Sequence, residues 1–154
     1  MEDLKKMSLK ELEDLCGDIR SEIIEVVCKN GGHLGPNLGV VELSTALHYV
    51  YNSPVDKIVW DVGHQSYVHK MLTGRRDRFH TIRKRGGLGP FTDPNESIHD
   101  QFISGHAGSA LSVSAGLAAA NPDKNVAVVI GDASFANGTT LEALNDINGK
   151  LKNL

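Results

Sequence analysis

The sequence predicts an α/β fold with a mostly parallel sheet flanked by helices. Two short β-branched apolar runs, at 57–61 and 125–130, read as buried parallel strands. Stretches with apolar residues at steps of three and four precede and follow each run, and helices alternating with buried strands make a layered α/β domain. A chain of 154 residues, 40% hydrophobic and 23% charged, suits one globular domain with a real core.

The first element is a helix over 8–29. Ser8 with Glu11 makes a capping box, and Leu12, Leu15, Ile19, Ile23 and Val26 follow at helical spacing until Asn30-Gly31-Gly32 ends the pattern. The segment GGHLGPNLG at 31–39 is too glycine-rich for regular structure and is expected to be a loop. It leads into a second helix whose inward face is expected to carry Val40, Leu43, Leu47 and Val50.

KIVWD at 57–61 is the first strand, and it runs into the polar loop VGHQSY. A short helix reaching Leu72 is closed by Gly74, a basic helix or arm spans 75–85, and GGLGPFTDPNES is loop. SGHAGSALSVSAGLAAANP then opens a helix of small residues, able to pack closely. The second strand, with Val126, Val128, Val129 and Ile130, ends in the turn Gly131-Asp132, followed by a helix with Leu141, Leu144 and Ile147 on its apolar face.

Composition excludes several classes of function. A net charge of −3 gives no global attraction to nucleic acid or an anionic membrane, so any phosphate binding must be local. No apolar run approaches membrane-spanning length, and the amphipathic amino terminus resembles neither a signal nor a transit peptide, which makes the cytoplasm the expected location. Cys16 and Cys28 both fall in the first helix, without metal-ligand spacing, and read as free thiols. Neither strand is followed by G-x-G-x-x-G, no G-x-x-x-x-G-K-[ST] loop occurs, and His64 and His69 lack the spacing of H-E-x-x-H. The basic run at 75–85 holds one aromatic, Phe79, and reads as a solvated or interface arm rather than an RNA reader.

Three histidines share one setting: His33, His64 and His106 each follow a glycine in a loop beside a helix. Glycine lets backbone approach a ligand closely, and imidazole donates to phosphate or moves a proton near neutral pH. A single Gly-His pair carries little weight; three of seven histidines carry more. If the loops at the carboxyl edge of the sheet converge, His64, the amides of Gly105, His106 and Ala107, and Asp132 surround one site. Magnesium held by one or two protein oxygens together with phosphate oxygens suits a single Asp132 beside amide-rich turns. Taken by itself, Asp132 reads better as a helix N-cap or turn aspartate.

Four segments, taken in order, closely resemble the amino-terminal region of the 1-deoxy-D-xylulose-5-phosphate synthase family: GGHLGPNLGVVELSTALHYVYNSP, WDVGHQSYVHKMLTGRRDRFHTIRKRGGL, SGHAGSALSVSAGLAAA and VIGDASFANGTTLEALND. The resemblance runs from about residue 8 to the end and separates the chain from the related transketolases. It implies the diphosphate side of a thiamine diphosphate fold, with thiamine diphosphate and Mg2+ as cofactors. It also implies pyruvate and glyceraldehyde 3-phosphate as substrates, joined with loss of carbon dioxide in a step that feeds isoprenoid and thiamine synthesis. By the same resemblance His33 matches the proton-transfer histidine and His64 a cofactor contact. Gly105, His106 and Ala107 match the cofactor loop, Asp132 the magnesium ligand, and Ala133 and Ser134 the residues that touch the diphosphate.

The chain departs from the family pattern in three places. Ala133 stands where the family usually has glycine, and Ala107 where it usually has serine, which adds a methyl group in one turn and removes a hydroxyl from the other. The chain also stops before the family's second metal ligand, an asparagine, and before the middle domain, whose glutamate activates the cofactor, and the carboxyl-terminal domain. Residues 1–154 are therefore expected to form an incomplete amino-terminal cofactor-binding domain, inactive alone, working as a homo-oligomer or with a complementing chain. The alternatives are a non-catalytic remnant that binds no cofactor, and a subunit of a split transketolase-like enzyme. An uncovered sheet edge after the last helix is expected to favour self-association.

Overall fold

The computed structural model describes residues 3–154. It is an α/β structure whose described residues divide into two compact units, one formed by 3–50 with 64–90 and the other by 51–63 with 91–154.

The first unit is helical. Helix α1 (Leu9–Asn30) begins at the predicted capping box: the Ser8 side chain accepts from the Glu11 amide, while the Ser8 amide donates to Glu11 Oε2 at 2.7 Å. It ends at Gly31 and buries Cys16, Ile19, Ile23, Val26 and Val27 against Val41, Tyr67, Val68, Met71, Phe79, Ile82 and Leu88. The segment expected to be a loop contains a short helix, α2 (Leu34–Leu38). Pro36 is tolerated there because an amide in the first turn has no intrahelical partner. The Asn37 side chain closes the turn by donating to the His33 carbonyl at 2.7 Å.

Helix α3 (Val41–Val50) buries a different face from the one the apolar spacing predicts. Val40 is buried as expected, but Leu43 and Val50 are 47% and 64% exposed, and the inward positions are Val41, Ser44, Thr45 and His48. Polar pairing decides the rotation. His48 Nε2 lies 2.9 Å from His69 Nδ1, and the Cys16 thiol donates to Thr45 Oγ1 at 3.5 Å. Ala46, Tyr49 and Val50 are left lining an apolar groove of about 490 Å³ with Met7, Leu9 and Leu12.

Helix α4 (Tyr67–Lys70) runs into a wide turn broken at Thr73 and Gly74, followed by a 3-10 helix over Arg76–Thr81. This basic stretch is anchored rather than free. Phe79 is fully buried against Tyr67, Asn30 Nδ2 donates to the carbonyls of His80 and Ile82, and Arg76 pairs with Glu22 at 2.8 Å.

The second unit holds the sheet. Strands β1 (Lys57–Trp60) and β2 (Val126–Val129) pair in parallel, with Lys57 opposite Val126 and Trp60 opposite Val129. Asp56 ties their starts together by accepting from the Asn52 amide at 2.8 Å and the Asn125 amide at 3.0 Å. Helix α5 (Ala110–Ala120) packs on both strands and on α7 (Gly138–Ile147), and a one-turn helix, α6 (Asp132–Phe135), separates β2 from α7. The small side chains of α5 admit α7 on its small face, so Thr140 and Ala143 are buried while Leu141, expected inside, is 52% exposed. Val126 donates to the Asn153 carbonyl at 2.8 Å, placing the last residues beside the start of β2.

Candidate functional site

In the first unit the structure brings His33 and His64 together. Their rings meet edge to face with centroids 5.6 Å apart. Tyr67 approaches His33 twice: its hydroxyl accepts from the His33 amide at 3.3 Å and lies 3.4 Å from Nδ1. A hydroxyl that accepts from the amide can give its own proton to Nδ1, which leaves the ring proton on Nε2. Burial, then the neighbouring His64 and Arg83, hold the His33 imidazole below the ordinary histidine value. The neutral imidazole, the form able to accept a proton, is thereby favoured at His33. His64 Nδ1 is enclosed and has no hydrogen-bond partner among the described residues.

In the second unit three turns gather at the carboxyl ends of the strands. The turn after β1 carries Val62 at φ 60 and Gly63 at φ 84, a left-handed conformation that a β-branched residue rarely adopts and that marks local strain. Gly63 must be glycine, because a Cβ there would stand 2.1 Å from Ser104 Oγ and 3.1 Å from the Thr92 amide nitrogen. The first turn therefore lies directly on the loop that enters Gly105. Asp61, 3% exposed, locks the end of that loop: its carboxylate accepts from the Gly108 amide at 3.0 Å and the Ala110 amide at 3.1 Å. Just before these, Gly105, His106 and Ala107 are exposed. The third turn is tied in by the buried Thr140, whose hydroxyl lies 2.9 Å from the Ser134 carbonyl and 3.5 Å from that of Gly108.

Asp132 is the first residue of α6, whose N-cap is Gly131, so its carboxylate does not serve as the cap. It is exposed beside the exposed Ala133 and the buried Ser134. Among the described residues no three His, Cys, Asp or Glu side chains converge to hold a metal ion. A lone carboxylate suits a hard cation that draws its remaining oxygens from phosphate and water, and it does not suit zinc.

Sequence reasoning missed the residues that hold these groups in place. Asn37 lies in a segment expected to be irregular, Asp61 was legible only as a strand end, and nothing local marks Tyr67 or Thr140. The faint signal for Asp61 was an acid at the end of an apolar strand run, directly before Val62-Gly63.

Residues 1–154 match the model of a family described as 1-deoxy-D-xylulose-5-phosphate synthase. Among similar proteins, the 1-deoxy-D-xylulose-5-phosphate synthase of Fusobacterium nucleatum subsp. nucleatum is 58% identical over 146 residues, covering 94% of this chain and 24% of its own length. The protein of the same name from Caldanaerobacter subterraneus subsp. tengcongensis is 54% identical over 156 residues, covering 99% of this chain and 25% of its own. That from Chlamydia caviae is 54% identical over 152 residues, covering 97% and 24%. The chain spans about a quarter of the length of these relatives.

Proposed function

The chain belongs to the 1-deoxy-D-xylulose-5-phosphate synthase family, and we propose that it forms the diphosphate- and magnesium-binding portion of such an enzyme. The reaction served is the joining of pyruvate to glyceraldehyde 3-phosphate with loss of carbon dioxide. The observation that carries the reading is the gathering of the Gly63, Gly105 to Ala107 and Asp132 turns at the carboxyl ends of β1 and β2.

The residues present fit the cofactor. Asp132 is an exposed carboxylate suited to magnesium that also binds phosphate oxygens, and Gly105, His106, Ala107, Ala133 and Ser134 offer backbone amides and a hydroxyl to a diphosphate. His64 Nδ1 is an enclosed polar atom to which a bound ligand supplies a partner. Thiamine diphosphate, when bound, supplies the electron sink for decarboxylating a 2-oxo acid. His33, neutral and steadied by Tyr67, is the group for moving a proton at substrate.

Titration calorimetry of the chain with thiamine diphosphate and Mg2+ tests this reading. Magnesium-dependent binding, abolished by Asp132→Ala, is the expected outcome. A folded chain that gives no such binding overturns it and leaves the second reading, a non-catalytic member of the family. That reading is favoured by alanine at 107 and 133.

A further inference from the structure

Asn37 is 0% exposed, and its amide makes three hydrogen bonds that use both donors and the oxygen. Nδ2 donates to the carbonyl of His33 at 2.7 Å and to that of His64 at 2.8 Å, while Oδ1 accepts from the Tyr67 amide at 3.0 Å. Burying an amide is costly unless its nitrogen and oxygen are hydrogen-bonded, so a residue needed only to fill space would be apolar. The bond to His33 alone would close the turn of α2. The bonds to His64 and Tyr67, 27 and 30 residues away, are not required for that.

The three partners are the components of one arrangement. Tyr67, whose amide Asn37 holds, is fully buried against Phe79 and returns its hydroxyl to His33. Gly32, at φ +143, leaves the room this needs, since a Cβ there would stand 2.7 Å from the Tyr67 hydroxyl. One side chain thereby fixes the backbone at both histidines and the start of the helix from which the tyrosine reaches back.

We infer that Asn37 is a positioning residue that sets the separation of the His33 and His64 rings and the face His33 presents to Tyr67, without itself touching a ligand. The inference rests on the proposed function only for the use to which the two histidines are put. The clamp itself rests on the hydrogen bonds.

Two measurements by nuclear magnetic resonance, both made without cofactor, test it. In the unaltered chain the Asn37 side-chain amide protons exchange on the order of a hundredfold or more slower than those of an exposed asparagine. Rapid exchange overturns the inference, and because this arm needs no substitution it decides alone where a variant fails to fold. In a folded Asn37→Ala chain, contacts between the His33 and His64 rings weaken. The His33 titration, held low by burial and by the facing His64 and Arg83, with Tyr67 at its Nδ1, moves up toward the ordinary histidine value. Resonances of Ile23 and Val26 on α1 stay where they were, which a general loosening would not allow. Unchanged ring contacts and an unchanged His33 midpoint overturn the inference. A clamp confirmed in a chain that binds no thiamine diphosphate leaves Asn37 its role and removes the proposed function alone.

Discussion

Removing the Asp61 carboxylate tests whether the loop through Gly105 to Gly108 is held from behind by the end of β1. Asp61 is 3% exposed, so water cannot replace it when it is cut back to alanine. The amides of Gly108 and Ala110, both buried, then lose their acceptor. A buried donor left unmet costs about 1–3 kcal/mol, and an ordinary N-cap exchange about 0.5–2 kcal/mol. Relief from keeping a carboxylate out of water offsets part of the loss. The net for Asp61→Ala is about 2–4 kcal/mol, and for Asp61→Asn, which keeps one oxygen facing the amides, about 1–2 kcal/mol. With a urea dependence of about 1–3 kcal/mol per molar, the alanine variant should unfold roughly 1–3 M earlier. Amide exchange at Gly105 to Gly108 should accelerate in the same variant. A midpoint within about 0.5 kcal/mol of the parent would refute the reasoning, as would asparagine costing more than alanine.

Gly63→Ala forces a methyl group to within 2.1 Å of Ser104 Oγ at a left-handed position, and should cost about 2–4 kcal/mol, read as a drop of roughly 5–15 °C in melting temperature. Adding Ser104→Ala should recover part of that loss, and no recovery would show that the hydroxyl is not the obstacle. His33, held low first by burial and then by His64 and Arg83, takes up its proton later than the unfolded chain does. Stability therefore falls as pH drops from about 6.5 toward the folded midpoint, and levels off below it. A His33 midpoint at or above 6.5 by nuclear magnetic resonance contradicts this. At Asp56, burial alone would raise the carboxyl, but the amides of Asn52 and Asn125, the Asn125 side chain and Lys124 outweigh it and hold it below the ordinary value. Its contribution is present above pH of about 4 and is lost as pH falls through the folded midpoint, so Asp56→Asn should flatten that part of an acid denaturation profile.

Local signals predicted local structure well and long-range pairing poorly. The Ser8 capping box and the Gly31 stop of α1 involve residues within a few positions of each other, and they were legible for that reason. So were the two β-branched runs that became β1 and β2. The face of α3 was not. Val40, Leu43, Leu47 and Val50 form a stripe as regular as the buried one, and the choice is made by His48 meeting His69 and Thr45 meeting Cys16, contacts 21 and 29 residues apart. The candidate site divides in the same way. Glycine before histidine at 32–33, 63–64 and 105–106 is a pattern of adjacent residues, and each of the three glycines sits at positive φ. What holds those turns is Asn37 across 27 residues, Asp61 across 47 and Thr140 across 32, each buried and each bonded to backbone. Backbone partners leave no trace in residue type, so such a clamp cannot be seen as a matched pair of side chains. Asn37→Ala and Asp61→Ala should for that reason disturb the geometry of the turns without removing any group proposed to touch the cofactor, whereas Asp132→Ala should remove a proposed ligand and leave the fold intact.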